Sequence, residues 1–158
     1  MSWHPELLAA DFVAVARLAG VDLPTTAITV EQLAAPHRSP TRLPAGQMAV
    51  YVFATGKQTL KVGKVGAKSQ ARYTSQHYNP RSAMSTLAAS ILADRLHHGL
   101  ADNDAEQIGE WIRANVDRFN FLLDERYGMR LLTLLEAFLQ CRLSPRYEGF
   151  QSQSGRIG

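Results

Sequence analysis

The stretch Met48-Ala-Val-Tyr-Val-Phe53, followed after a short turn by Gln58-Thr-Leu-Lys-Val-Gly63, decides the fold of this chain. The first segment is rich in β-branched and aromatic residues, and Thr55-Gly56 lies between the two. Such a pair of runs, joined by a short turn, is typical of a β-hairpin with antiparallel strands. The sequence therefore predicts a hairpin, around which the remaining elements are arranged.

Helices are predicted on both sides of this hairpin, because apolar residues recur there at helical spacing. Upstream, we expect a helix from His4 to Leu18 and a short second helix from Val30 to Ala35, followed by a loop. Downstream, we expect a helix containing Arg72, helices over Ala83–Leu96 and Ala105–Val116, a third strand over Phe119–Leu123, and an apolar helix over Met129–Leu143. The predicted class is α+β: a small three-stranded antiparallel sheet flanked by helices, with an N-terminal helical extension.

Length and composition indicate one folded domain. The chain has 158 residues, of which 46% are hydrophobic and 20% charged, so wholesale disorder is excluded. We divide it into an N-terminal helical extension (1–46), a main domain (47–150) and a flexible tail (151–158). Cys141 is the single cysteine, which excludes an internal disulfide and a cysteine-based zinc cluster. The sequence shows neither a membrane-spanning run nor a secretion signal, so we expect a cytoplasmic protein.

Acidic residues are absent between Glu31 and Asp94. A stretch without carboxylates builds a positive potential that attracts polyanions such as a nucleic-acid backbone. A solvated basic face without a partner would explain the same pattern equally well. The basic residues of this acid-free stretch are Arg38, Arg42, Lys57, Lys61, Lys64, Lys68, Arg72 and Arg81.

Glu136 is the most informative single residue. It lies in the apolar run Leu131-Leu-Thr-Leu-Leu-Glu-Ala-Phe-Leu-Gln140, and a helix this apolar should be buried on most of its circumference. A carboxylate there is costly unless a cation, a metal or hydrogen bonds compensate. A buried ion pair and a position on an exposed stripe are both ordinary explanations. A single carboxylate with open water positions also suits Mg²⁺ bound together with a substrate phosphate.

Four further candidates precede Glu136. Arg72 offers a planar fork of donors that can clamp a phosphate, and His77 can accept or relay a proton near neutral pH. Tyr51 and Lys61 lie on the two strands of the hairpin, where a nearby cation would favour ionisation of the phenol. Each residue also has a structural explanation, since arginines lie on basic surfaces and tyrosines of strands pack in cores.

Taken together, these residues resemble the GIY-YIG nuclease superfamily. Its pattern is a Gly-Ile-Tyr strand, a Tyr-Ile-Gly strand, an arginine on the next helix, a nearby histidine in some members, and a glutamate on a late helix. The resemblance covers about 47–149, roughly two-thirds of the chain, and its specificity lies in the joint order of short motifs. The matching positions are Ala49-Val-Tyr51, Lys61-Val-Gly63, Arg72, His77 and Glu136.

Three positions depart from the family pattern. Ala49 replaces the first glycine, and Lys61 replaces the tyrosine of the second motif. Such a lysine is similar to that of restriction-endonuclease-like members, and it would polarise the attacking water or hold Tyr51 as a phenolate. Glu148, which follows Pro145, takes the place of a family asparagine and would support the site with a changed local charge.

The resemblance implies a metal-dependent endonuclease that hydrolyses DNA phosphodiester bonds with one divalent cation. Glu136 would hold Mg²⁺ or Mn²⁺ against the scissile phosphate and the departing 3′ oxygen. Tyr51 would activate or position the water, assisted by Lys61 and by His77 as proton acceptor. Arg72 would stabilise the transition-state charge. The DNA contacts would come from the acid-free stretch, at Lys64, Lys68 and Arg81.

Two other functions fit the same sequence. A catalytically inactive module of the same fold would bind nucleic acid without cutting it, since fold does not fix function. A small α+β interaction protein would use Glu136 in a structural ion pair and would have no salt-dependent affinity for DNA. If the chain is a nuclease, a homodimer would allow a one-site enzyme to cut both strands.

Overall fold

The computed structural model of the protein describes residues 2–101 and 106–147. Short 3₁₀ turns lie at Gln76–Tyr78 and Glu125–Tyr127. The helices and strands of the described residues are, in chain order, α1 (Pro5–Leu18), β1 (Ile28–Leu33), β2 (Gln47–Ala54), β3 (Thr59–Val65), α2 (Gln70–Thr74), α3 (Leu87–Ala93), α4 (Ile108–Asn115), β4 (Asp117–Asp124) and α5 (Gly128–Leu143).

The predicted hairpin and the α+β class are confirmed. Strands β2 and β3 pair antiparallel from Ala49 opposite Val65 to Ala54 opposite Thr59, with an irregularity near the turn. Strand β4 then pairs antiparallel with both β2 and β1, which gives the order β1-β4-β2-β3. The sheet therefore has four strands, and the prediction of three strands is wrong.

The additional strand comes from the N-terminal extension, where the predicted helix over Val30–Ala35 is also wrong. Strand β1 pairs with β4 from Ile28 opposite Leu123 to Leu33 opposite Arg118. Its first residues, Ile-Thr-Val, are β-branched and suit a pleated strand. Strand β4 pairs with β2 on one side, and without β1 its backbone groups on the other side would be unpaired. This non-local pairing with β1 outweighs the weak helical preference of the residues after Val30.

Helices cover both faces of the sheet, because side chains along a strand alternate between its faces. Helices α1 and α5 cover one face, here called the α5 face, and α2, α3 and α4 cover the other, here called the α2 face. The α5 face is packed by apolar residues that include Phe12, Val50, Val52, Phe121 and Leu135. The α2 face is packed by residues that include Ala49, Phe53, Leu87, Ile91 and Ile112.

The other predicted helices are present, with shorter bounds in two cases. Helix α3 begins after Thr86, whose Oγ1 atom accepts a hydrogen bond from the Ala89 N–H at 3.1 Å and so caps the helix. It therefore starts four residues later than expected from Ala83, and it ends at Ala93 rather than Leu96. Helix α4 begins at Ile108, while the predicted start at Ala105 lies outside the described residues.

Two expectations concern residues that the structure does not describe, namely the flexible tail over 151–158 and the supporting role of Glu148. Over residues 2–101 and 106–147, the helices are all too short or too polar to cross a membrane.

Candidate functional site

Tyr51 lies at the centre of the candidate site, on strand β2 and the α2 face. Its side chain is 2% exposed, and its cross-strand neighbours are Asn120 on β4 and Gly63 on β3. A Cβ atom at position 63 would overlap the phenol oxygen of Tyr51. Glycine at this position therefore allows the phenol to lie across the edge strand β3.

The guanidinium of Arg72 on α2 acts electrostatically on the phenol of Tyr51. Burial raises the pKa of Tyr51, and the nearby positive charge of Arg72 partly opposes this effect. The carboxylate of Glu136 raises the same pKa further, so it acts on the phenol electrostatically. Tyr51 is thus a protonated phenol, which donates or accepts a hydrogen bond and is not a strong base in this environment.

Lys61 lies next to this phenol on the same face of the sheet, opposite Phe53 in the strand register. It is 6% exposed, and its Nζ atom donates a hydrogen bond to Ser85 Oγ at 3.2 Å. Burial, followed by the positive charge of Arg72, lowers the pKa of Lys61 to about 8. An amine with this pKa exists partly in its neutral form near neutral pH, as a proton acceptor requires.

The exposed segment Met84–Ser85, here called the strap, also contacts Arg72. The Arg72 Nη1 atom donates to the Met84 carbonyl at 3.0 Å, and Nη2 donates to the Ser85 carbonyl at 3.3 Å. Ser85 has a φ of 56°, which is left-handed and uncommon for a residue other than glycine. The strap therefore places three oxygen atoms against the donors of Arg72 and Lys61.

His77 lies fully buried beside Tyr51, with the two ring centroids 4.4 Å apart. Its Nδ1 atom accepts a hydrogen bond from the Leu87 N–H at 3.1 Å, so neutral His77 carries its proton on Nε2. Burial, reinforced by the charges of Arg72, Arg118 and Lys61, holds its pKa far below the usual value. Among the described residues, Nε2 has no hydrogen-bond partner, which leaves a buried donor available.

Glu136 approaches from the opposite face of the sheet. Its Oε2 atom accepts a hydrogen bond from Lys64 Nζ at 2.6 Å, and the two side chains are 18% and 32% exposed. Lys64 is opposite Val50 in the register, so it lies on the α5 face, whereas Tyr51 and Lys61 lie on the α2 face. Strand β3 is the edge strand next to β2. The charge of the Glu136 carboxylate on α5 therefore raises the pKa of Tyr51 although the two side chains come from opposite faces of the sheet.

The structure therefore brings four predicted residues together, namely Tyr51, Lys61, Arg72 and His77, with Glu136 at the edge. Lys64 is engaged with Glu136, while Lys68 and Arg81 are exposed. Both exposed cations belong to the acid-free stretch of the sequence.

Three residues of the site were missed in the sequence. Arg118 and Asn120 are fully buried on β4, and Glu31 reaches them from β1. The signal was present, because Arg118 and Asn120 alternate with Phe119 and Phe121 in the middle of a largely buried strand. Alternation placed both polar side chains on one face, but only the folded chain shows that this face is the α2 face.

Metal binding at this site would rest on very few protein ligands. Over residues 2–101 and 106–147, no group of three or more His, Cys, Asp and Glu side chains is arranged to hold a metal ion. Glu136 alone still suits Mg²⁺, which keeps several water ligands and binds through one or two carboxylates together with substrate phosphates. No protein-family model, curated protein or solved structure matches the chain, so the interpretation of this site rests on its geometry.

Proposed function

We propose that this protein is a metal-dependent DNA endonuclease related to the GIY-YIG nucleases. One observation carries the proposal: Arg72 and His77, which lie outside the hairpin, are brought to the buried phenol of Tyr51, and Lys61 lies on the same face of the sheet. Basic side chains and hydrogen-bond donors in this arrangement would stabilise the negative charge that develops on a phosphodiester during hydrolysis. Structural ion pairing among the described residues does not explain it, because there Lys61 and Arg72 bond to the strap and not to carboxylates.

The substrate phosphate would take the place of the strap oxygens. Arg72 presents two donors to the carbonyls of Met84 and Ser85, in the forked arrangement that also fits two phosphate oxygens. Lys61 presents a third donor to Ser85 Oγ. Displacement of the strap would expose these donors, and the anion would compensate the positive charge of Arg72, which now faces neutral oxygens.

Lys61 and Tyr51 would then act on the attacking water. Neutral Lys61 is the better proton acceptor, because its lowered pKa of about 8 lies near the working pH, whereas burial keeps Tyr51 protonated. Tyr51 would orient the water by hydrogen bonding. The water oxygen would attack phosphorus, the bond from phosphorus to the 3′ oxygen would break, and Lys61 would take the proton lost by the water. The departing 3′ oxygen would then gain a proton from solvent to give the 3′ hydroxyl.

His77 would serve as a hydrogen-bond donor. The sequence suggested a proton acceptor, but the Leu87 N–H occupies Nδ1 and Nε2 carries the proton. A neutral imidazole in this tautomer would donate from Nε2 to a phosphate oxygen or to the phenol. This assignment gives a function to a buried donor that otherwise lacks a partner among the described residues.

Glu136 would hold the cation, Mg²⁺ or Mn²⁺, at the edge of strand β3. When bound, such an ion would neutralise charge on the scissile phosphate and on the departing 3′ oxygen. The carboxylate is partly exposed and pairs with Lys64, which is itself partly exposed. Lys64 can therefore release Glu136 and bind a DNA phosphate, which would make the carboxylate available to the metal ion.

The same ion pair also favours a second candidate, the inactive nucleic-acid-binding module. A carboxylate that is already compensated by Lys64 at 2.6 Å has less need of a metal ion. In this case the protein would bind DNA through its exposed cations and leave the phosphodiester intact. Cleavage assays separate these two candidates directly.

The deciding experiment is nicking of supercoiled plasmid by the purified protein with Mg²⁺, with Mn²⁺ and with EDTA. We expect metal-dependent nicking that is lost in Glu136→Ala, because the metal ligand is removed while the packing of α5 is retained. The matched control is Glu110→Ala, which removes an exposed carboxylate of α4 and should cut like the wild type. Equal cutting by Glu136→Ala would refute the site, and binding without cutting would identify the inactive module.

A further inference from the structure

Arg118 is a charged side chain without access to solvent. It lies on β4 beside Phe53, and its guanidinium carbon lies 5.1 Å from the Phe53 ring centroid, 4.9 Å from that of Tyr73 and 5.9 Å from that of Tyr51. Burying such a charge is costly, and a well-packed apolar residue usually serves stability equally well or better. An arginine at this position therefore suggests a role other than packing.

The hydrogen bonds of Arg118 link strand β4 to the segment that carries Arg72 and His77. Its Nη2 atom donates to the Tyr73 carbonyl at 2.6 Å, and its Nη1 atom donates to the Tyr78 hydroxyl at 3.4 Å. Tyr73 directly follows Arg72 on α2, and Tyr78 directly follows His77. The planar fork of one guanidinium thus fixes the segment that carries both site residues against the strand next to Tyr51.

The negative charge that compensates Arg118 comes from Glu31 in the N-terminal extension. Arg118 Nε donates to Asn120 Oδ1 at 2.9 Å, and Asn120 Nδ2 donates to Glu31 Oε2 at 2.9 Å. The same Glu31 oxygen accepts a hydrogen bond from the Tyr73 hydroxyl at 2.7 Å. Asn120 is the cross-strand neighbour of both Glu31 and Tyr51. The carboxylate therefore reaches the network from β1, two strands away from Tyr51.

We propose that Arg118 is a positioning residue for the candidate site, and that the N-terminal extension completes that site by supplying Glu31. The proposal rests on the proposed function. Through Asn120, the carboxylate compensates the buried charge, which allows the guanidinium to hold Arg72, His77 and Tyr51 in one arrangement. Strand β1 is then part of the functional unit and not a separate addition to the main domain.

The first test is Arg118→Lys. A lysine keeps the positive charge near Glu31 but lacks the planar fork, so it cannot reproduce the three donations in their present directions. We expect kcat for plasmid nicking to fall about 100-fold, as for a small misplacement of catalytic groups, while KM changes little. Wild-type kcat in this variant would overturn the proposal.

The second test separates positioning from stability. In the double variant Arg118→Met with Glu31→Gln, neither charge remains buried, so we expect a folded protein with a thermal midpoint close to the wild-type value. Its kcat should still be low. Recovery of kcat together with stability would show that Arg118 is merely structural and would overturn the proposal. The matched control is Arg142→Met with Asp11→Asn, which removes an exposed ion pair between α5 and α1.

A third readout does not need cleavage. In protein labelled with ¹³C on the tyrosine rings, the signals of Tyr51 and Tyr73 are assigned with Tyr51→Phe and Tyr73→Phe. We expect one sharp set of NMR signals for each ring in the wild type, and broadened signals or several sets of signals in Arg118→Lys. If the wild type does not cut DNA, the proposed function fails, while these spectra still decide the positioning role. Unchanged, sharp Tyr51 signals in Arg118→Lys would refute that role.

Discussion

At the scale of single residues, Gly63 packs directly against the phenol of Tyr51. A Cβ atom at position 63 would overlap the phenol oxygen, so Gly63→Ala must move the ring or the edge strand. We expect a loss of about 1–3 kcal/mol in the free energy of unfolding, measured in urea, together with a loss of nicking. The control is Gly56→Ala in the hairpin turn, where an added Cβ atom meets nothing within 4 Å. Wild-type stability and nicking in Gly63→Ala would contradict this packing.

Lys61 gives the site a defined pH dependence of stability. In the unfolded chain this lysine titrates near 10.5, and in the folded protein its pKa is lowered to about 8. Between these pH values the unfolded chain binds more protons, so the free energy of unfolding rises with pH, by roughly 3 kcal/mol at most. This contribution is lost again as the pH falls through the folded-state pKa.

We therefore expect Lys61→Met to be more stable than the wild type at neutral pH, with a difference that shrinks as the pH rises from 8 towards 10.5. Urea denaturation at several pH values measures this difference. Lys57→Met, at an exposed lysine of the hairpin turn, controls for the loss of a positive charge. A constant difference between wild type and Lys61→Met would show that Lys61 is not desolvated in the folded protein.

At the scale of elements, the strap occupies the donors of the candidate site. It connects the segment that carries Arg72 and His77 to helix α3, and it uses three oxygen atoms to occupy the donors of Arg72 and Lys61. Under the proposed function, a DNA phosphate would have to compete with these intramolecular hydrogen bonds. Weakening the strap should therefore strengthen substrate binding.

Ser85→Ala removes the hydroxyl that Lys61 contacts and leaves the carbonyl contacts with Arg72. Since a hydrogen bond of this kind is worth about 1 kcal/mol, we expect KM for DNA to fall about five-fold. Ser82→Ala is the matched control, because the Ser82 hydroxyl bonds to the carbonyls of Gln76 and Asn79, which lie outside this contact. An unchanged or higher KM in Ser85→Ala would mean that the strap does not compete with substrate.

At the scale of the whole molecule, the proposed function and the charge distribution together predict a salt-dependent affinity for DNA. The affinity should fall linearly with salt on logarithmic axes, because bound cations of the protein release counterions from the phosphate backbone. Alanine at both Lys68 and Arg81, which are exposed, should reduce the slope by about two. Fluorescence anisotropy of a labelled duplex across a salt series measures this slope.

Arg17→Ala provides the control for that series, since Arg17 is exposed on α1, which covers the α5 face of the sheet. Its slope should equal that of the wild type. Affinity that does not depend on salt would contradict both the nuclease and the binding module, and it would favour the small interaction protein.

The sequence by itself determined the hairpin, the helices that follow it and the α+β class. These features depend on local patterns: β-branched runs around Thr55-Gly56 for the hairpin, and apolar residues at helical spacing for α1 and α5. The members of the candidate site were also recognisable, because Tyr51, Arg72 and Glu136 occur in an order that resembles a known family. Side-chain type and order are properties of the sequence, and they do not require knowledge of the packing.

Only the tertiary structure decided the fourth strand and the support of the site. The segment over 28–33 becomes a strand because it pairs with β4, about 90 residues away in sequence. The stabilisation from this pairing cannot be inferred from the residues next to the segment alone. The same pairing brings Glu31 to Asn120 and so to the buried charge of Arg118. The tautomer of His77 and the occupation of Arg72 by the strap likewise depend on backbone groups that only folding brings together. Hydrogen bonds between distant segments are determined by the three-dimensional arrangement, and no periodicity in the sequence records them.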